Sequence, residues 1–387
     1  MAEAVIVAAA RTPIGRANKG TLVDVDAFAL AVAAIDEVAK RSGLDRKLID
    51  DIVLAESLQG GGVIARHAAV TLGMHQVPGL ALNRWCAAGM AAVQTAAATV
   101  VSGMGSAIIA GGTESMSSMP QQLKSIPASA RDYQMWMSPA NPAMDEAPPY
   151  DMATTVGENT ARIAGLSRHD VDAWAARSHE RALASIDQGW FEDEIVPVEL
   201  PGGGLFTTDE FPRRGVTVDS LGALPVLRPN IENATVTAGN AAGLNDAAAA
   251  VMVTSAEFAK ANGLTPLARI RGWSAVGVHP ERTGLAPIEA IPLALSRAGV
   301  AQADVARFEI NEAFACVPVA AVRSLGLNED MVNVNGSGCS LGHPIAATGA
   351  RMIVTMLNEL LRVGQPLGVV AMCAGGGMGS ALVLERL

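Results

Sequence analysis

The feature that most constrains this chain is a pattern that occurs twice. Residues 86–112 read CAAGMAAVQTAAATVVSGMGSAIIAGG, and residues 343–377 read HPIAATGARMIVTMLNELLRVGQPLGVVAMCAGGG. Each copy predicts a helix, a turn, an apolar strand and a run of glycines. Each starts with a reactive side chain at a helix N-terminus, Cys86 in one and His343 in the other. Two similar α/β halves facing each other would bring those termini to one centre. The alternative is chance similarity between Ala-rich helices.

The rest of the chain supports layered α/β halves. Strands are expected at Ala4–Ala9, Asp51–Ala55, Ala107–Ala110, Ala249–Ser255, Ala268–Trp273, Arg307–Ile310, Leu367–Met372 and Ala381–Glu385. Helices are expected at Ala27–Arg41, Ala87–Ser102, Ser167–Gln188, Ile288–Ala298, Cys316–Leu325 and Ala346–Val363. Such alternation favours sheets covered by helices. The middle differs: Met116–Tyr150 and Pro197–Asn240 are rich in Ser, Pro, Gly and charged residues, with little periodicity. We therefore expect one half from residues 1–117 with 243–268, the other from 269–387, and an excursion over 118–242 that covers something.

Composition removes several functional classes. Half the residues are hydrophobic and 17% are charged, against about 25% in an average soluble chain. A disordered chain is excluded, and part of the buried surface is expected between subunits. The net charge is −10 and no Lys/Arg run exists, so nucleic acid is not an expected partner. An acidic chain binds a polyanion only at a locally basic site. The four cysteines are too few for a disulfide scaffold, and they show no CxxC or HxxxH spacing for a metal. The start, MAEAVIVAAARTPIGR, carries Glu3 and no basic residue before its apolar run, unlike a signal peptide. Trp85–Thr113 is uncharged but rich in Ala, Ser, Thr and Gly and broken at Gly103 and Gly105, so no membrane span is expected. The cytoplasm is the default location.

Four places could carry chemistry. Cys86 follows Asn83-Arg84-Trp85 and opens a helix, where the dipole would favour a thiolate. Alone, a Cys in an apolar stretch is more often an inert core residue. His343 sits among Gly336, Gly338 and Gly342, with Pro344 expected at the first helical position; there it can accept a thiol proton or support an oxyanion. Cys373 ends an apolar strand and precedes AGGGMG, whose bare N–H groups suit an oxyanion hole. No room remains after this loop for a dinucleotide-binding helix and acid. Asn311 and Glu312 follow the strand RFEI, where open sheets place ligands, although a helix cap would use Asn as well. His67, His75, His169, His179 and His279 are expected in surface or capping roles, and Cys316 and Cys339 as structural thiols.

Taken together, these residues resemble the thiolases, acyl-CoA:acetyl-CoA acyltransferases. The matching blocks are ARTPIGR, NRWCAAGMAAVQTAA, AGGTESMS, TAGNAAGLNDAAAA, NEAFA, NVNGSGCSLGHPIAATGAR and CAGGGMGSALVLE. They span nearly the whole chain. The resemblance implies a duplicated αβαβα fold with five-stranded sheets and an inserted loop domain. It implies that Cys86 is the acyl-carrying nucleophile, His343 its activator, and Cys373 the acid/base that moves the α-proton of acetyl-CoA. Asn311 would hold a water that forms one oxyanion hole with the His343 ring, and the N–H groups of Cys86 and Gly375 would form the other. CoA and acyl-CoA would be substrates, with no metal or redox cofactor. Arg213 would approach the adenine–phosphate end of CoA and Ser220 its pantetheine or nucleotide part; a solvated loop residue is the alternative for each. A homotetramer or homodimer is expected.

Departures from the family pattern bear on substrate. Ala242 stands where a Ser usually touches pantetheine, GSGCSLGHP replaces GGAIALGHP, and Thr283 stands where a Met often lines the acyl pocket. YDMATTVGEN lacks the HMGTTAEN pattern of short-chain biosynthetic enzymes, and NRWC is closer to degradative ones. A 3-ketoacyl-CoA thiolase is favoured over an acetoacetyl-CoA-forming enzyme, with residues 118–150 shaping the acyl pocket. A ketoacyl synthase would lack Cys373, and a non-catalytic interaction subunit would have lost Cys86, His343 or Cys373.

Overall fold

A strand that is apolar at every position can be buried on both faces, with alternate side chains feeding different cores. The computed structural model, which describes residues 2–59, 61–126 and 132–387, is built on that rule. Residues 127–131 of the expected excursion lie outside the described residues. The first half runs β1 (Ala4–Arg11), β2 (Gly15–Arg16), α1 (Ala27–Ser42), β3 (Asp51–Ala55), α2 (Ile64–Thr71), β4 (Gly79–Leu82), α3 (Ala88–Val101) and β5 (Ala107–Ser115). Next come a hairpin of β6 (Gln122–Ser125) and β7 (Tyr133–Trp136), then α4 (Asn159–Ile163) and α5 (Arg168–Asp187). A short pair, β8 (Val198–Glu199) and β9 (Leu205–Phe206), and α6 (Val218–Gly222) follow. The chain then returns through β10 (Asn245–Ser255) and α7 (Ala256–Ala261). The second half runs β11 (Ala268–Gly277), α8 (Ala286–Ala298), β12 (Arg307–Ile310), α9 (Cys316–Leu325), α10 (Gly338–Leu341), α11 (Ile345–Val363), β13 (Leu367–Ala374) and β14 (Met378–Arg386).

The two halves repeat one topology. The first orders its strands β4-β3-β5-β10-β1, and the second continues β11-β14-β13-β12. In each half the inner pair is parallel, β3 with β5 and β12 with β13, while the two strands nearest the junction run antiparallel. Even the irregularities match: β1 bulges between Ile6 and Ala8, and β11 between Ile270 and Gly272. The halves join where Val5 pairs with Arg269 and Ile6 with Ala268. The fifth position of the second half, expected as a strand, is only a parallel bridge from Phe308 to Val332. The reason lies next to it. Asn333 adopts a left-handed backbone (φ 51°), and its side chain takes over the ladder, accepting from Ile310 N–H at 2.8 Å and donating to Ile310 O at 2.9 Å.

Alternation sorts the strands among three cores. Val5, Ala107, Ile109, Ala248, Ala250 and Met252 face α1 and α2. Ile6, Ile108, Ala110, Val251, Val370, Met372 and Leu382 face a central layer of α3 and α11. Val369, Ala371, Cys373, Ala381 and Val383 face α8 and α9. The result is the αβαβα layering. Both central helices are buried nearly all round, as a helix sandwiched between sheets must be.

Two contacts fix this arrangement. A methyl group on Gly89 would collide with the Ala346 carbonyl oxygen and lie 3.0 Å from Ala350 N, while one on Gly349 would collide with Met90 N. The central helices thus approach backbone to backbone through one glycine from each. Elsewhere Arg11, fully buried, joins the end of β1 to the excursion: its guanidinium meets Glu194 at 2.6 Å and Asp209 at 2.8 and 2.9 Å. Gly89→Ala should force α3 and α11 apart, costing about 1–3 kcal/mol. Chemical denaturation would measure that loss, and turnover should fall with it; an unchanged stability would show that the helices adjust freely.

Candidate active site

The helix approach matters because of what precedes it. Cys86 lies three residues before Gly89, and His343 three before Ala346. Backbone contact between Gly89 and Ala346 therefore draws the two helix starts together. α3 begins one residue later than expected, capped by Ala87, while α11 begins at Ile345, one residue before the expected Ala346, with Pro344 at the cap and not at the first helical position.

Cys86 follows a strained turn. Trp85 has φ 48°, a left-handed conformation that bulky residues rarely adopt. The turn is held by Trp85 N–H donating to Asn83 Oδ1 at 2.7 Å and by Ser57 Oγ donating to Trp85 O at 3.1 Å. The Cys86 sulfur faces the backbone N–H of Gly375, which favours its thiolate, but burial outweighs this and pushes the thiol up to about 11. The thiolate expected from the helix dipole is therefore not the resting form: desolvation is the larger effect. Cys373 is buried at the end of β13, and burial together with the charge of a Cys86 thiolate holds its thiol above the usual range. The two sulfurs thus share one environment.

His343 is also buried, and burial, with Arg351 nearby, pushes its ring down to about 3. Its tautomer follows from its neighbour. Thr348 Oγ1 donates its hydrogen to Pro344 O at 2.7 Å and lies 2.7 Å from His343 Nδ1. Having one hydrogen, the hydroxyl must accept from the ring, so Nδ1 carries the proton and Nε2 keeps a lone pair. That Nε2 has no hydrogen-bond partner. Asn311 is fully buried just beyond β12, its N–H donating to Ala371 O at 2.9 Å beside β13. Both ends of its amide lack a partner. Buried polar groups are normally satisfied, so these orphaned atoms mark a place built for something else to bind.

The surroundings hold this site rigid. Ala346 N–H donates to Glu114 at 3.0 Å, and His343 N–H donates to Asn245 Oδ1 at 3.0 Å. Burial pushes Glu114 up to about 6. Gly377 N–H donates to Thr283 Oγ1 at 3.0 Å, so the position expected to line an acyl pocket also fixes the glycine turn. A side chain at Gly375 would meet Trp85 at 3.6 Å and Met152 at 3.9 Å. Glu312 is a structural hub, accepting from Trp174, Ser178, Asn333 and Cys339 N–H. Cys316 and Cys339 donate to backbone oxygens inside the protein, as structural thiols do. Thr348, Asn245 and Glu114 were not singled out from the sequence, although all lie within matched blocks.

One expectation changes. His179 is neither a surface nor a capping residue: it is buried in α5, and its Nδ1 accepts from Arg213 N–H at 3.2 Å. Helical position 179 faces inward, which an isolated His does not reveal. Ser220 is exposed, and its hydroxyl completes a capping box with Thr217 at the start of α6. Arg213 is exposed and its guanidinium has no carboxylate partner among the described residues. His279 does cap a turn, accepting from Glu281 N–H.

The sequence matches the family described as Thiolase, N-terminal domain, over residues 4–257, and Thiolase, C-terminal domain, over residues 264–386. This chain belongs to the thiolase family. Over the full length of both chains, this thiolase is 39% identical to the 3-ketoacyl-CoA thiolase of Bacillus subtilis and 40% identical to an acetyl-CoA acetyltransferase of Pseudomonas aeruginosa. Its fold matches the crystal structure of the Bacillus anthracis acetyl-CoA acetyltransferase at a TM-score of 0.92 with 38% identity, covering 100% and 99% of the chains. The human mitochondrial 3-ketoacyl-CoA thiolase matches at 0.90 with 32% identity and the same coverage. Among the described residues no His, Cys, Asp or Glu cluster is placed to hold a metal, and no helix is long and apolar enough to cross a membrane.

The resting thiol and imidazole of this thiolase are both neutral at pH 7. Alkylation of Cys86 by iodoacetamide should then rise about tenfold per pH unit across roughly pH 7–10, followed by mass spectrometry of the labelled peptide. A plateau above about pH 7 would mean that an ion pair forms in advance.

Proposed function

We propose that this thiolase cleaves 3-oxoacyl-CoA with a second CoA, giving acetyl-CoA and a shortened acyl-CoA, and runs the same steps backwards as a Claisen condensation. The observation that carries the reading is the Cys86 sulfur facing the Gly375 N–H beside Cys373. His343 Nε2 takes the Cys86 proton as the sulfur attacks the C3 ketone. The ring then carries a proton on Nε2 and becomes a donor to oxygen, so activation itself creates part of an oxyanion site. Asn311 holds a water there. The C2–C3 bond breaks, leaving an acyl group on Cys86 and an acetyl-CoA enolate, whose oxygen is held by the N–H groups of Cys86 and Gly375. Cys373 protonates the enolate carbon. A thiol protonated well above neutrality suits this step, because it arrives with its proton. The second CoA gives its thiol proton to the Cys373 thiolate, attacks the thioester and takes the acyl group, and the Cys86 sulfur released recovers its proton from His343. Splitting the reaction through a thioester replaces one hard step by two easier ones, and requires neither a metal nor a redox cofactor.

Residues 118–242 form the cover of this site, between a first half of 1–117 with 243–268 and a second of 269–387. Trp85 and Met152, close to Gly375, bound the acyl group. Arg213 approaches the phosphates of CoA, and Ser220 contacts CoA through its backbone turn. The reaction belongs to β-oxidation of fatty acids or similar acids in the cytoplasm, a reading supported by the free thiols. The chain works as a homotetramer or homodimer, for which the exposed Leu123, Tyr133 and Met135 of the β6–β7 hairpin supply apolar surface.

Cys86→Ser should lower thiolysis of 3-oxoacyl-CoA by more than about 1000-fold without changing the melting midpoint; retained turnover would end the mechanism. Cys373→Ala should abolish α-proton exchange of acetyl-CoA, read by NMR in heavy water, while acyl loading of Cys86 persists. Loss of loading with exchange retained would reverse the two roles. Thiolysis rates across straight, branched and ring-bearing substrates would define the acyl group.

A further inference from the structure

Glu114 stands near the end of β5 and belongs to the strand's inner face. Ile108, Ala110 and Gly112 turn toward the central helices, and alternation sends Glu114 the same way. A carboxylate there is fully buried, and among the described residues no arginine or lysine pairs with it. Such burial is tolerated only where hydrogen bonds replace water. Glu114 accepts three, and they are divided between its two oxygens.

One oxygen serves the turn after β3. Oε1 accepts from the Gln59 side chain at 2.6 Å and from Leu58 N–H at 3.3 Å. The preceding residue, Ser57, holds the turn that carries Cys86. Its hydroxyl donates to Trp85 O at 3.1 Å, and its carbonyl accepts from the Asn83 side chain at 3.2 Å. The other oxygen serves the helix that follows His343: Oε2 accepts from Ala346 N–H at 3.0 Å. The carbonyl of the same Ala346 lies where a methyl group on Gly89 or Gly112 would strike it. One carboxylate thus joins the support of Cys86 to the helix start beside His343.

Its charge adds a second effect. The titratable side chains around it are Glu56, from the turn after β3, and Cys86. Glu56 is fixed by Val63 N–H at 3.0 Å and Ile64 N–H at 2.7 Å, at the start of α2. Opposite Glu114 on β10 is Ala247, and α11 meets it with a backbone N–H. A negative Glu114 therefore opposes a second negative charge on the Cys86 sulfur. Burial, aided by Glu56, brings the titration of Glu114 up to about 6. The His343 ring, pushed down to about 3, does not change charge in that range.

We propose that Glu114 is a positioning residue for the Cys86–His343 pair: one oxygen holds the turn that carries Cys86, the other holds the helix beside His343, and its negative charge is set against a thiolate at Cys86. This inference rests on the thiolase reading, which makes that pair the reactive one. Protonation of Glu114 removes the charge and places a hydrogen on an oxygen that otherwise accepts.

The charge is tested without any thioester, by the rate at which methyl methanethiosulfonate labels Cys86, followed by mass spectrometry of the labelled peptide. In wild type the rate should climb about tenfold per pH unit on both sides of pH 6, but step down about threefold through it as Glu114 loses its proton. That measurement needs no variant. Glu114→Gln should lack the step, running about threefold above wild type near pH 7–8 and meeting it near about pH 5. Glu114→Asp keeps the charge but shortens the reach, so it should keep the step. Both variants should lower kcat for thiolysis about tenfold with KM nearly unchanged, because an amide end cannot accept and a shorter chain cannot span both partners. A wild-type line without a step overturns the inference, as does an offset in Glu114→Gln that persists at low pH, the mark of damaged packing alone. Unchanged kcat in both variants overturns it as well. A protein that turns over no thioester, yet shows the step, would fail the thiolysis reading and keep the charge of Glu114 on Cys86.

Discussion

Everything in this thiolase that bears on chemistry depends on two helix backbones touching. Helices packed through ordinary side chains sit about 8–10 Å apart. Gly89 and Gly349 remove the side chains at the crossing, so α3 and α11 meet closer than that. The three-residue lead from each crossing point back to Cys86 and to His343 then needs little further help to bring a thiol and an imidazole to one place. Both sheets are laid against these helices, and the alternation along β5, β10, β13 and β14 supplies the apolar surface that clamps them. The topological repeat is the means: a half that buries one helix on one face is copied, and the two copies share a single central layer.

Burial sets the chemistry as firmly as geometry does. A cysteine at a helix start would be ionised in a wetter place, and a histidine would titrate near neutrality. Here both are desolvated enough to rest uncharged. The pair is poised by hydrogen-bond direction instead of by charge. Thr348 can satisfy only Nδ1–H, because its own hydrogen goes to Pro344 O. The free lone pair on Nε2 is a consequence of that one hydroxyl.

Much of this was legible in the sequence, for physical reasons that differ by element. The expected strands at 51–55 and 307–310 and the helix at 316–325 agree to the residue with β3, β12 and α9; each stops at a polar or Gly residue, Glu56, Asn311 and Gly326. β4 and α2 were not expected. GLAL is too short to show a period, and α2 begins after Val63, a left-handed residue with no side-chain cap. The reactive residues stood out through the Gly-rich contexts that backbone contact requires. The state of Cys86 did not, since a dipole can be read from a helix start but desolvation depends on the whole fold. The burial of His179 was invisible for the same reason: a lone His within a helix acquires meaning only from what stands beside it.

One rule applies to both buried histidines. A folded chain satisfies its buried polar groups, and a neutral imidazole has one donor and one acceptor to place. At His343 the donor is placed and the acceptor is left open; at His179 the acceptor is placed and the donor is left open. The first is what an incoming thiol proton needs, and such an open group is offset by packing elsewhere. The buried Arg11 cluster with Glu194 and Asp209 shows where that rigidity comes from: it locks the cover to the first strand, so the open groups keep their positions while they wait for a ligand.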